Sequence, residues 1–387
     1  MRRSHFLAGG AALAAAAAAS PARAQYVNTP YRQVLSIAVN VPLSGPLAAY
    51  GQQIVNGARA AVDYNNRYSA PLERVFSIRS FDDQNALAIA IANAQFAAGD
   101  QTVLATIGGL TGDVTVGAIP GYANDGMALI VPASTADAIT GRGYRNVFRL
   151  PTKDTTEGQL VARALLPHTK TTLALAVLQD GGYGAELAQG FVAQAKALKI
   201  PAEGVAFPAQ SPDYARAAAA IVARKPDYLF LAGKLGPMGP LIPALAAAGY
   251  KGAIGLGDGF YDPQTVALYG SQLAGALVAT SFAPLKRAPG DFTILNDLSA
   301  QLGDVTAFSA YGYAAAQIVM SAVKRTNAAD RGATLQALIA GTTYETLTGS
   351  YAFDFAGDPI DPNIYFYSIG KDGFKYEKPA HPTGFVL

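Results

Sequence analysis

An α/β fold with two parallel sheets, each covered by helices, is predicted by three observations. Apolar runs of strand length alternate with helical patterns through most of the 387 residues. The runs are continuously apolar instead of apolar at every second residue, as expected for strands buried on both faces. And the alternation restarts after "NVFRLP" at 146–151. Half of the chain is apolar, which is enough for two sizeable cores.

The elements follow in order. "VLSIAVNVPL" at 34–43 reads as a strand, and over 52–67 Ile54, Val55, Ala58, Ala61 and Val62 fall on one helical face. "VFSIRSFDD" at 75–83, helical "NALAIAIANAQFAA", the strand "VLATIGG" at 103–109, a short helix from Asp113 and "ALIVPAS" complete the first series. The second runs through "TLALAVLQD", a helix carrying Leu187, Phe191, Val192, Ala195 and Leu198, "GVAFPA", a helix near 213–224, "DYLFLAG", a helix from Pro237, and "GAIGLGD". After "GALVATSFAP" come helical stretches near 290–302, 306–326 and 331–340 and the strand-like "GSYAFDF" and "IYFYSIG". That tail is too short for a third domain, so it is expected to complete the first two, which share a cleft because no flexible linker separates them.

Composition removes whole classes of function. Residues 1–24, "MRRSHFLAGGAALAAAAAASPARA", have the basic start, apolar run and small-residue exit of an export signal, with cleavage expected near Ala24; Arg2-Arg3 before Phe6-Leu7 leaves the Sec and twin-arginine routes both open. The run is too short and alanine-rich for a membrane anchor, and no later apolar run reaches about 18 residues. Without the leader's three arginines the 29 basic residues become 26 against 27 acids, so the mature chain is near neutral, which argues against nucleic acid as a partner. There is no cysteine, and His168 and His381 lack ligand spacing, so no metal and no cofactor is expected. No GxSxG elbow appears, "GKL" at 233–235 lacks the rest of a phosphate loop, and "GLGDG" lacks dinucleotide spacing, so the chain reads as a binder and not an enzyme.

Ligands of open α/β sheets sit outside the carboxyl ends of the strands. This selects the exits at 42–50, 108–113, 133–135, 180–183, 233–236 and 258–261. In "LIVPASTAD" a core strand runs out into Ser134 and Thr135. Two readings stand: hydroxyls facing a small polar ligand, or a Thr135 that caps the following turn. Tyr50 and Tyr183 each sit beside glycine in a loop, where an aromatic favours binding over core packing. Asp262-Pro263 supplies a helix cap of its own, which frees Asp258 for the site.

The segments "VPLSGPLAAYGQQIVNGARAAVDYNN", "IGGLTGDVTVGAIPGYANDGMALIVPASTADAITGRGYRNVFRLP", "LQDGGYGAELAQGF", "AYGYAAAQIV" and "FDFAGDPIDPNIYFYSIG", in that order, resemble the periplasmic leucine/isoleucine/valine-type binding proteins of ABC transporters. The resemblance implies the type I periplasmic binding protein fold: two Rossmann-like lobes with parallel sheets flanked by helices, joined by a three-crossover hinge. Lobe I is then expected over 25–150 plus 283–353 and lobe II over 151–282 plus 354–387. It also implies a monomer in the periplasm that binds an amino acid or a similar small carboxylate between the lobes and delivers it to an inner-membrane permease.

Residue by residue, Ala133 and Thr135 match the family's carboxylate-binding exit, with Ser134 between them. Gly112 stands where the family has a serine, which leaves the backbone N–H groups of Gly112 and Asp113 to meet a carboxylate at a helix N-terminus. Tyr50 and Tyr183 match aromatics that cover the ligand, and Tyr313 fits a further aromatic or the core. Asp258 matches the ammonium-binding acid. Lys234 replaces a tyrosine, either reaching to solvent or entering the cleft, where it would neutralise Asp258 or bind an anion. That exchange leaves a second ligand class open, an α-keto or aromatic acid without an ammonium group. The same fold also serves as the ligand-sensing module of receptors, which leaves a third role open.

Overall fold

The computed structural model describes residues 33–380 apart from 69–73, 180–182, 208–212 and 286–291. The expected leader, Asp180 and His381 lie outside the described residues. The first series comprises β1 (Gln33–Val41), α1 (Ala48–Tyr68), β2 (Arg74–Asp82), α2 (Leu87–Gly99), β3 (Val103–Gly108), α3 (Gly112–Ala123), β4 (Ala128–Val131), α4 (Ala138–Gly141) and β5 (Val147–Arg149). Its five strands form a parallel sheet in the order β2-β1-β3-β4-β5. The continuous apolar runs are the cause: every residue of β3, β4 and β5 is buried, because helices cover both faces.

The second series comprises α5 (Asp154–Leu165), β6 (Ala174–Gln179), α6 (Ala185–Ala197), β7 (Ala202–Phe207), α7 (Tyr214–Ala223), β8 (Tyr228–Ala232), α8 (Leu235–Met238), α9 (Leu241–Ala247), β9 (Ala253–Leu256), α10 (Pro263–Tyr269) and β10 (Leu277–Thr280). The single helix expected from Pro237 is two short ones. Pro240 and Pro243 each lack the N–H that would bond one turn back, so the helical run is interrupted there. The chain then returns to the first sheet as α11 (Phe292–Leu302), α12 (Ala307–Thr326), α13 (Arg331–Ile339), β11 (Tyr344–Thr346) and β12 (Gly349–Tyr351), with α12 packed on α1. It ends as β13 (Ile364–Gly370) and β14 (Gly373–Ala380), an antiparallel hairpin that extends the second sheet to β14-β13-β10-β9-β8-β6-β7. The polar "GFKYEKPA" carries no apolar run, which is why β14 escapes a hydrophobic pattern. The chain thus passes between the two sheets three times, after β5, after β10 and before β13.

Two helix pairs fix the geometry around these passages. A Cβ on Gly158 of α5 would collide with the carbonyl of Leu187, and one on Gly190 of α6 with the carbonyl of Thr155. Glycine at both places lets the backbones touch, and α5 is pressed into the second core beside Phe191, which stacks on Phe230 at 4.7 Å. The Gly57–Gly312 pair joins α1 to α12 in the same way.

A buried ion pair sits at the first passage. Arg149, at the end of β5, is fully buried with Nε 2.6 Å from Oδ1 of Asp358. Its Nη1 donates to the carbonyls of Thr135 and Ala136 at 2.8 and 2.9 Å, and its Nη2 to those of Asp137, at 3.3 Å, and to the hydroxyl of Thr140. Asp358 also accepts from Thr140 at 2.7 Å and from Lys153 at 3.0 Å. Burial works against its charge, but Arg149, Thr140 and Lys153 outweigh it and hold the carboxyl below the usual range.

Asp358→Asn strands a buried guanidinium, and the expected loss is about 3–5 kcal/mol of stability, read from urea midpoints at constant m-value. Because the folded value is depressed, the wild-type contribution is complete above the unfolded carboxyl value of about 4 and disappears as pH falls through the folded one. In urea melts at pH 5 and pH 2.5 the gap between wild type and variant should therefore narrow at the lower pH.

Candidate functional site

The loop after β1 meets the one after β9 through Tyr50 and Asp262, and the loop after β4 meets α5 and α6 through Thr135 and Asp137, so strand exits of the two sheets share a cleft. On the first lobe α3 opens at Gly112 after an extended Thr111 whose side chain makes no cap bond. The first N–H groups of a helix have no partner within it, so this end favours an anion. The glycine is spatially required: a Cβ there would lie 2.8 Å from Cβ of Ala136 and 3.9 Å from Oγ of Ser134. Gly112 therefore stands against the 133–136 exit, while Asp113 is exposed. Ala133 is half-buried, and Ser134 and Thr135 are buried.

The turn-capping reading of Thr135 does not describe its contacts. Its hydroxyl bonds Asp154 of α5, and its carbonyl accepts from Arg149 and from the Asp154 N–H at 3.0 Å. The strand exit is stitched to the first helix of the second lobe.

On that lobe Asp258 opens a 3-10 turn (Asp258–Phe260) directly after β9. Its N–H donates to Oε1 of Glu157 at 3.1 Å, and its own Oδ1 is enclosed with no hydrogen-bond partner. Burial pushes the Asp258 carboxyl up to about 7, partly countered by the Gly259 N–H. The Tyr183 hydroxyl accepts from that same N–H at 3.2 Å. Lys234 is exposed, its Nζ 5.6 Å from the centre of the Tyr183 ring, and its backbone N–H is held by Gln179 at 3.0 Å. It forms no ion pair with Asp258, so the acid is not neutralised by it. Tyr313 is 1 % exposed and belongs to the first core, whereas Tyr311, two residues earlier on α12, donates to the Ser281 carbonyl at 2.7 Å and lies within electrostatic reach of Asp258.

Among the described residues, hydrogen bonds of Tyr50 and Asp137 join the two lobes at the rim of the cleft. Tyr50 Oη donates to Oδ2 of Asp262 at 3.0 Å, while Oδ1 of the same carboxylate caps α10. The Asp137 N–H donates to Oε2 of Glu186, in the first turn of α6, at 2.9 Å. Tyr50 also packs on Phe308 at 5.0 Å, and Tyr261 contacts both main cores. Sequence patterns pass over Asp154, Glu157, Glu186 and Tyr261 as site residues. Acids in a first helical turn are explained locally by the helix dipole, which masks any second task.

A cavity of about 370 Å³ lies elsewhere, at the amino ends of β8, β9 and β10 between Leu165, His168, Tyr228 and Leu277. It holds no carboxylate and no helix N-terminus, whereas the cleft holds both. Among the described residues no helix is long and apolar enough to cross a membrane.

Tyr50→Phe removes one rim bond and leaves the ring on Phe308. The unliganded protein should shift toward an open form by about 1 kcal/mol, roughly fivefold in population. Small-angle scattering should show a larger radius of gyration for the variant, and identical curves would remove Tyr50 from the closing contact.

Residues 34–374 match the family model described as periplasmic binding protein. The Leu/Ile/Val-binding protein BraC3 of Rhizobium johnstonii is 26% identical over 87% of this chain and 92% of its own length. Among solved structures, the leucine-binding protein LivK of Thermotoga maritima superposes with a TM-score of 0.80 at 20% identity, covering 90% of this chain and 99% of that one. A solute-binding protein of an ABC transporter from R. palustris, solved in complex with benzoate, gives 0.75 at 20% identity over 92% and 98%. The expected type I architecture of two helix-flanked lobes is the one observed. This chain belongs to the periplasmic binding protein family, whose members are solute-binding proteins and not enzymes.

Proposed function

We propose that the cleft binds a small zwitterion, an α-amino acid with an apolar side chain, and that the protein hands it to an inner-membrane permease after export and cleavage near Ala24. The observation that carries this reading is the opposite polarity of the two sides. The N-terminus of α3, at Gly112 and Asp113 beside Ala133, Ser134 and Thr135, suits a carboxylate. Asp258, with an oxygen that no protein group satisfies, suits an ammonium. Tyr50 and Tyr183 supply aromatic cover, and Lys234 reaches the rim over Tyr183. The lobes in this reading are 25–150 plus 283–353 and 151–282 plus 354–387, and a ligand gripping both shifts the population to the closed form.

One observation favours the second ligand class. A carboxyl raised to about 7 carries a proton in part of the molecules near neutrality, and a protonated Asp258 donates to a keto oxygen. The R. palustris solute-binding protein solved in complex with benzoate supports this class.

Titration calorimetry with leucine, phenylalanine and their keto acids separates the two. Amino acids should bind and the keto acids should be weaker by tenfold or more; the reverse order would transfer the function to keto acids. Thr135→Ala should cost about 1–3 kcal/mol of affinity if its hydroxyl serves the carboxylate side. An unchanged affinity would confine Thr135 to its bond with Asp154.

A further inference from the structure

Asp258 is not the sole acid at its end of the cleft. Asp154 and Glu157, one turn apart on α5, are 3 % and 0 % exposed. Each has one satisfied oxygen: Asp154 bonds the Thr135 hydroxyl, and Glu157 takes the Asp258 N–H. Each has one orphan, Oδ1 of Asp154 and Oε2 of Glu157, as Asp258 has in its own Oδ1. The two buried carboxylates and the half-buried Asp258, on two elements and each with an enclosed, unpartnered oxygen, are close enough to feel one another's charge.

The surroundings do not neutralise them. Glu186 from α6 and Asp137 from the first lobe add negative charge, and Tyr311 of α12 and Tyr183 contribute neutral hydroxyls. Arg149 and Lys153 are paired with Asp358, and Lys234 lies over Tyr183 at the surface. Buried like charges without a counter-charge must either take up protons or meet a cation.

We propose that Asp154 and Glu157 join Asp258 in one cation subsite, which holds protons while the cleft is empty and exchanges at least one of them for the positively charged end of the solute. This deepens the amino-acid reading and rests on it. Asp258, half-buried at the strand exit, touches the solute; Asp154 and Glu157 are positioning residues that act through it. A neutral or purely anionic solute gains nothing from the exchange, so the subsite selects for a cationic group.

Burial, followed by the neighbouring Asp258 charge, pushes Asp154 up to about 8 and Glu157 well above the usual range. Raised carboxyl values mean that the empty fold keeps protons that the unfolded chain releases above about pH 4. The ligand-free thermal midpoint should accordingly fall as pH rises from 5.5 to 8.5.

The test is calorimetry of the mature chain with leucine and phenylalanine at pH 5.5, 7 and 8.5, in phosphate and in Tris, whose ionisation heats differ. We expect release of about one proton per solute near pH 6 to 7, and affinity that gains about tenfold per pH unit until the acids are ionised. Glu157→Gln keeps shape and the bond to the Asp258 N–H, so it should fold, release less than half as much proton and show a flatter profile; Asp154→Asn should do the same. Amino-acid binding with no buffer-dependent heat and a level profile overturns the proton exchange and leaves the function standing. A variant Glu157→Gln with the wild-type profile also overturns it. Absence of amino-acid binding at every pH removes both.

Discussion

The Arg149–Asp358 pair is the constraint on which the site depends. One guanidinium, sealed from water, collects the carbonyls of Thr135, Ala136 and Asp137 and holds the loop in which the strand exit hydroxyls sit. A loop whose carbonyls were free to turn would not present Ser134 and Thr135 in one place. The pairing joins residues more than two hundred positions apart, because Asp358 arrives on the last passage between the sheets. Its own approach is prepared by Asp354, whose Oδ1 accepts the N–H groups of Ala356, Gly357 and Asp358 at 2.9 Å each. The crossover and the 133–137 loop are therefore one structure, so that movement of the crossover strands is felt directly at Ser134 and Thr135.

The same economy governs the acids. Asp154 receives the Thr135 hydroxyl from one lobe and faces Asp258 on the other, and Glu157 holds the backbone of Asp258 in place. The helix pair α5–α6, brought to backbone contact by Gly158 and Gly190, keeps these carboxylates inside the second lobe instead of letting them turn to solvent. Burial of acids that is costly for folding is thereby retained at the end of the cleft beside Asp258. At the rim, Tyr50 and Glu186 tie the two lobes together through Asp262 and the Asp137 N–H.

How much could be read in the chain varies with the physics behind each feature. The core strands and helices were legible since each carries its own periodicity: Ile54, Val55, Ala58, Ala61 and Val62 are all buried as one face of α1, and the runs of β3 and β8 are buried throughout. The helix after β8 was misjudged because two prolines act on backbone bonds that an apolar pattern ignores. The hairpin strand β14 was missed for the opposite reason, an edge strand with no buried run to betray it. Of the site residues, Ser134 and Thr135 stood out as hydroxyls where an apolar strand ends, and Asp258 as an acid that its helix cap did not need.

By itself the sequence determined the alternation of strand and helix, the two sheets, and the residues that stand at the strand exits, all of which follow from patterns within a few tens of positions. Only the tertiary structure decided which exits face one another, that Tyr313 is core while Tyr311 reaches toward the cleft, and that Asp154 and Glu157 lie beside Asp258. Charges come together across lobes through the packing of distant helices and the passage of the chain between sheets. No local spacing encodes a distance of that kind.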